Sequence, residues 1–336
     1  GASANCPMPD HRGPALVDLQ VNGFAGVDYN ALDATPDAIA ASFDAMQQSG
    51  VGLCLPTIIT SSSAHFRDCA RRVLGTGHPI IAGLHMEGPY ISPEDGFRGA
   101  HPLSCVVPAT MDDFRRRKDD ADGQIRLLTI APESPGALAV IEGAVAMGVR
   151  VAIGHTNATS RQIADAVAAG ATMSTHLGNG CPAVLPRHPN VIWDQLATDA
   201  LQASLIVYGH HLPPATVSVM VRAMGTARCL LVTDAMMAAG AGPGTYRLGD
   251  LEVVASPSGR VASPGSLTLA GSSLTMAAAV GNACRWASLD VGVAWAMAST
   301  QPAEYLGLSP RGEAEVTWSE DYSEVLRVRF GPNGLD

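Results

Sequence analysis

The sequence predicts an α/β protein: a (β/α)8 barrel of the TIM type with a small, reduced accessory β-sheet. Three observations carry that expectation. Short apolar runs and helical patterns alternate about eight times between Ala15 and Thr233. Residues able to bind a metal or move a proton stand just past several of the apolar runs. The rival doubly wound sheet wants a glycine-rich phosphate turn after its first strand, and Val21-Asn22-Gly23-Phe24-Ala25-Gly26 is no G-x-G-x-x-G.

Taken in order, the expected barrel strands are Ala15–Val21, Gly52–Ile58, Ile80–Met86, Arg126–Ala131, Arg150–Gly154, Ala171–Thr175, Gln202–Tyr208 and Cys229–Thr233. Helices are expected at Pro36–Ser49, Ala64–Leu74, Gly136–Met147, Ser160–Ala169 and Pro214–Met224. Thr35 precedes Pro36 as a cap, and Gly50, Gly148, Gly170 and Gly225 stand where helices end. Beyond the eighth strand, Tyr246–Val254 and Gly259–Val261 read as strands around a Pro-Ser-Gly turn, and Glu315–Thr317 with Glu324–Phe330 as another pair. Helices at Ser273–Trp286 and Val291–Ser299 lie between them. The catalytic barrel is thus expected over residues 15–240 and 266–308, and the accessory β region over 1–14, 241–265 and 309–336. The charged run Arg115–Asp120 reads as a solvated helix face or loop.

Composition narrows the function. The chain has 336 residues, 47% of them hydrophobic, so it can bury a large core. Its net charge of −10 argues against nucleic acid or an anionic membrane as partner. Seven scattered cysteines (6, 54, 69, 105, 181, 229 and 284) with no C-x-x-C pair fit reduced thiols and a cytoplasmic location. The polar, Pro-rich opening to Gly13 reads as no secretory leader, and no stretch is apolar for long enough to span a membrane.

Four strand ends carry the chemistry. Glu87 follows the third strand, His155 the fifth, His176 the sixth and Asp234 the eighth. In a closed parallel barrel these ends meet at one mouth. One carboxylate with two imidazoles leaves a position open for water, the pattern of a catalytic zinc. A further carboxylate can take a proton from that water. Singly, each residue has an ordinary reading, a hydrogen-bonded core histidine or a helix cap; their joint placement favours the site. A Schiff-base barrel lyase would need a lysine at a strand end, and Lys118, the only one in the chain, lies in the charged run.

The chain resembles the N-acetylglucosamine-6-phosphate deacetylases of the amidohydrolase superfamily. The resemblance rests on His85-Met86-Glu87-Gly88-Pro89-Tyr90, Arg98-Gly99-Ala100-His101-Pro102, Gly154-His155-Thr156-Asn157-Ala158, Thr175-His176-Leu177-Gly178-Asn179-Gly180 and Leu231-Val232-Thr233-Asp234-Ala235-Met236. Tyr246–Gly249 and Leu269–Met276 are also similar. It implies one divalent metal, zinc for preference, held by Glu87, His155 and His176, with Asp234 as base and then acid. It implies that His101 polarises the acetamide carbonyl, and that Asn179, Gly180, Arg187 and His211 contact an amino sugar phosphate, with Arg187 reaching across a homodimer. The implied reaction releases acetate from N-acetylglucosamine 6-phosphate. Many superfamily members carry His-x-His on the first strand; here Gln20 and Asn22 stand there, poor ligands for a transition metal, so a single tightly held ion is expected.

Three departures bear on the substrate. Only about fourteen residues precede the first barrel strand, where the family has a longer β-rich stretch, so the outer sheet should be smaller. Tyr208-Gly209-His210-His211 replaces an Asp-Gly pair before the histidine. Arg187 is followed by His188-Pro189-Asn190 rather than Glu-Pro-Gly. These keep two alternatives open: N-acetylgalactosamine 6-phosphate or another N-acyl compound as substrate, and a catalytically silent metal- and ligand-binding barrel. A mere binder has no need of Asp234 and His101, which speaks against the second.

Overall fold

Eight parallel strands pair in strict chain order, Leu16–Val21, Val51–Ile59, Leu84–Glu87, Ile125–Ile130, Arg150–Ile153, Met173–Ser174, Gln202–Leu205 and Cys229–Leu231. The computed structural model describes residues 8–248 and 250–336. Cys6, the first part of the expected 1–14 region and Gly249 of the Tyr246–Gly249 motif lie outside the described residues.

The first and last strands meet through a parallel bridge between Val21 and Ala235, which closes the barrel. Asp234 N–H donates to Gln20 O at 2.9 Å, and Asn22 N–H to Ala235 O at 2.7 Å. Asp18, buried beneath this seam, accepts from the N–H and hydroxyl of Thr233 and from Gln20 N–H. The strands are buried along nearly their whole length, as expected when side chains fill one face and helices cover the other.

The third strand starts at Leu84 rather than Ile80. Gly83, at φ +139°, interrupts the run, and Ile81 makes only an isolated bridge to Cys54. Helices Pro36–Gln48, Ser63–Gly75, Ala137–Ala146, Ser160–Ala168 and Pro214–Met224 follow the expected pattern. Thr35, Ser62 and Thr159 cap three of them through their hydroxyls.

The charged run is a helix face, one of the two readings expected of it, and only Arg117 departs from solvation. It belongs to helix Met111–Asp120, which Thr110 caps and which carries acids in its first turn and bases in its last. Arg117 on it is buried: its Nε donates to Asp113 at 2.8 Å and Nη2 to Ser61 O at 3.1 Å. Helices Val191–Leu196 and Thr300–Tyr305 are too short to show a period in sequence.

The accessory strands form two small sheets, where a single one is expected. Tyr246–Val254 is a hairpin, Gly244–Leu248 against Leu251–Ala255, extended by Val261–Ala262. It packs on its own apolar cluster, in which Met236, Val253 and Val261 are buried. In the second sheet Glu313–Trp318 lies between Asp10–Pro14 and Val325–Gly331. Trp318 plugs it onto the barrel helices, donating its indole N–H to Ala277 O at 2.9 Å. Among the described residues no helix is long and apolar enough to cross a membrane.

Candidate active site

The C-terminal ends of the barrel strands open into a cavity of about 540 Å³, whose lining includes Glu87, His101, His155, His176 and Asp234. Glu87 ends the third strand, 2% exposed. Its Oε1 lies 3.0 Å from His176 Nε2 and 3.2 Å from His155 Nε2, and those two nitrogens are 3.1 Å apart. Ligand atoms of Glu87, His155 and His176 all lie within 4.8 Å of one another.

The backbone is bent to achieve this. His155, His176 and Asp234 have φ of +48°, +32° and +48°, a conformation that costs a non-glycine residue and is found where structure around it enforces it. The loops beside them approach closely. A Cβ on Gly180 would press to 3.0 Å from His155 Nδ1 and 3.1 Å from His176 Cε1, and at φ +61° any other residue would be strained.

The donor chemistry fits a cation. His155 Nδ1 donates to Phe97 O, an acceptor only, at 2.8 Å, and this orients the ring with its Nε2 on Glu87. Electron-rich atoms meeting this closely need shared protons or a positive ion. Burial opposes ionisation of Glu87, but hydrogen bonds with His155 and His176 and the field of His101 outweigh it, holding its carboxyl well below the usual range. Burial likewise opposes a charge on His176, but Glu87 prevails and raises its pKa. One carboxylate and two imidazoles are a donor set that zinc accepts.

Asp234 sits beside this triad. Asn22 Nδ2 donates to its Oδ1 at 2.7 Å and Gln20 Nε2 at 3.3 Å; Gln20 also donates to Glu87 at 2.9 Å. Burial first, then the charge of Glu87, push the Asp234 carboxyl up to about 7, against the pull of His176 and Asn22. Gln20 and Asn22 therefore do more than line the barrel: their amides hold the two carboxylates. His101 stands opposite, its Nε2 3.7 Å from Glu87 Oε2 and its ring 4.3 Å from that of His155. Burial, then His155, lower its pKa to about 3, so the ring is neutral.

Of the expected substrate residues, Asn179, Gly180 and His211 line the cavity. Asn22 Oδ1, His176 Nδ1, Asn179 Nδ2 and His211 Nδ1 are buried without a hydrogen-bond partner, and all four residues face the cavity, as a site for a polar guest requires. Arg187 does not line it: the residue is exposed and its carbonyl accepts from Trp193 Nε1 at 3.3 Å. Asn190, one of the departures, caps helix Val191–Leu196 through its side-chain oxygen. Tyr208, another, packs its ring against His210 and His211 and shares a 2.9 Å hydrogen bond with Ser273 Oγ.

The sequence reading missed Thr60 and the Phe97 carbonyl, which hold His101 and His155. Thr60 follows the second strand, so the strand-end rule that found Glu87 would also have found it; a backbone carbonyl leaves no sequence signal.

No protein-family model matches the chain. It is similar to N-acetylglucosamine-6-phosphate deacetylase of Vibrio furnissii, 34% identical over 309 residues, 90% of this chain and 76% of the relative. It is also similar to N-acetylgalactosamine-6-phosphate deacetylase of Escherichia coli O157:H7, 33% identical over 301 residues, 88% of this chain and 78% of the relative. Among solved structures, a mutant N-acetyl-D-glucosamine-6-phosphate deacetylase from Mycobacterium smegmatis, in complex with N-acetyl-D-glucosamine-6-phosphate, has a TM-score of 0.85 at 29% identity. That match covers 99% of this chain and 90% of the other.

Proposed function

Because the chain belongs to the N-acetylglucosamine-6-phosphate deacetylase family of the amidohydrolase superfamily, we propose that it hydrolyses the acetamide of N-acetylglucosamine 6-phosphate, releasing acetate and glucosamine 6-phosphate. The observation that carries this is the convergence of Glu87, His155 and His176 on one point, with Asp234 and His101 flanking it in a single cavity.

In this reading Glu87, His155 and His176 hold one divalent ion, zinc by donor type. Bound there, such an ion supplies Lewis acidity toward water and the acetamide carbonyl. The residues do the rest. Asp234 Oδ1 is tied down by Asn22 and Gln20, which leaves Oδ2 to receive the proton of the attacking water. His101 meets the carbonyl oxygen as negative charge develops on it. Asp234 then returns its proton to the departing nitrogen as the C–N bond breaks, so one carboxyl serves both halves of the reaction. Asn179, Gly180 and His211 bind the sugar phosphate, and Arg187, exposed and outside the lining of its own cavity, serves the phosphate of a neighbouring subunit in a homodimer. Its guanidinium suits phosphate geometry. The protein works in the cytoplasm on this small molecule, with the barrel at 15–240 and 266–308 and the accessory β region at 1–14, 241–265 and 309–336.

The 4-epimer, N-acetylgalactosamine 6-phosphate, is the second reading, since a relative named for it is 33% identical. Acetate release from both sugars by zinc-loaded protein decides between them. The expected result is a kcat/KM at least about tenfold higher for the gluco substrate, a difference of about 1.4 kcal/mol in transition-state binding. A preference for the galacto epimer would reassign the substrate, and release from neither would remove the reading.

A further inference from the structure

Thr60 stands just past the second barrel strand, 1% exposed, and has no part in the chemistry described so far. Its Oγ1 is 2.7 Å from His101 Nδ1, itself on a buried ring. The hydroxyl is wedged under the turn after Glu87: a Cβ on Gly88 would come within 2.1 Å of it.

A neutral imidazole carries one hydrogen, and which nitrogen bears it is decided by the partner of the other. If Nδ1 bore the hydrogen, Thr60 Oγ1 would accept it and would have to donate its own proton elsewhere. The acceptor at hand is Glu87 O at 3.5 Å, the outer limit of a hydrogen bond. If Thr60 donates instead, it does so at 2.7 Å to Nδ1, and Nε2–H faces the cavity from 3.7 Å off Glu87 Oε2. The second arrangement gives the Thr60 hydroxyl a short bond and turns a hydrogen rather than a lone pair toward the Glu87 carboxylate and the cavity.

We propose that Thr60 is a positioning residue that fixes His101 as the Nε2–H tautomer, making it a donor to the acetamide oxygen rather than a second base. This deepens the proposed function and rests on its reading of His101. No proton moves between Thr60 and His101 during turnover; the hydroxyl sets the ring's orientation and leaves its hydrogen on the side where charge develops.

The test has two arms on zinc-loaded protein. Nitrogen-15 NMR of histidine-labelled wild type, with the His101 signals assigned by their loss in His101→Gln, should show Nδ1 unprotonated and Nε2 protonated. This arm needs no substrate, so it stands or falls apart from the deacetylase reading. In the second arm, Thr60→Val, which keeps shape and removes the donor, should lower kcat by about tenfold, the usual cost of losing a partner behind a functional histidine, with KM little changed. Thr60→Ser should restore it, and Thr60→Val should cost nothing further in the His101→Gln background. A hydrogen on Nδ1 of His101 would overturn the proposal. So would Thr60→Val at wild-type kcat, or an equal loss with and without His101.

Discussion

Asp234 is buried, raised to about 7 by that burial and by Glu87, and gripped on one oxygen by Asn22. A carboxyl with a raised pKa is a base only above it, so turnover should fall as the pH drops. A cation in the triad pulls the pKa back down, which puts the acid limb of kcat/KM below pH 7 in the loaded enzyme; a pH profile checks both sign and position. Asp234→Asn keeps the shape and loses the base, and should cut kcat by at least about a hundredfold while metal content is unchanged, as acetate release and elemental analysis would show. Glu87, His155, His176 and Asp234 were legible because each ends an apolar run. The second layer was less so. Gln20 and Asn22 read as bad ligands, and their donation to carboxylates came to light only when the first and eighth strands were seen side by side.

Elements hold these residues in strained positions. Gly180 backs His155 and His176 so closely that Gly180→Ala, at φ +61°, should weaken metal affinity by about tenfold or more, measured by competition with a chromogenic chelator. The seam between the first and eighth strands depends on Asp18. Asp18→Ala strands the Thr233 N–H, leaves the Thr233 hydroxyl only its 3.3 Å bond to Gln20 O, and should cost about 1–3 kcal/mol in denaturant unfolding. Burial, against the hydrogen bonds from Thr233 and Gln20, raises this carboxyl from 3.8 to about 6. The folded state therefore holds a proton that the unfolded chain has released, and this contribution to stability is full below pH 3.8 and lost as the pH rises through about 6. Asp18→Asn should remove that slope. Strands and long helices were readable from period and caps. The hairpin hidden in Tyr246–Val254 was not read, although Gly249-Asp250 stands between its arms as a two-residue turn signal, and the run Arg115–Asp120 left helix and loop both open because charge alone shows no apolar period.

Across the whole molecule, strict strand order brings side chains from positions 22 to 234 into one cavity, which is why a wide sequence spacing still makes a compact site. The barrel and the reaction class were open to sequence reading because a parallel barrel has one functional mouth. One small sheet was harder, since one of its pairings spans most of the chain, Asp10–Pro14 with Glu313–Trp318. Assembly and metal stoichiometry are whole-molecule properties too. The dimer proposed from Arg187 predicts a sedimentation coefficient for twice the chain mass, and an Arg187→Ala variant with raised KM and nearly unchanged kcat. The most direct test titrates zinc into metal-free protein while acetate release from N-acetylglucosamine 6-phosphate is followed. Activity should rise linearly and break at one equivalent per chain; no acetate at any loading, or a break at two equivalents, would contradict a deacetylase built on a single ion held by Glu87, His155 and His176.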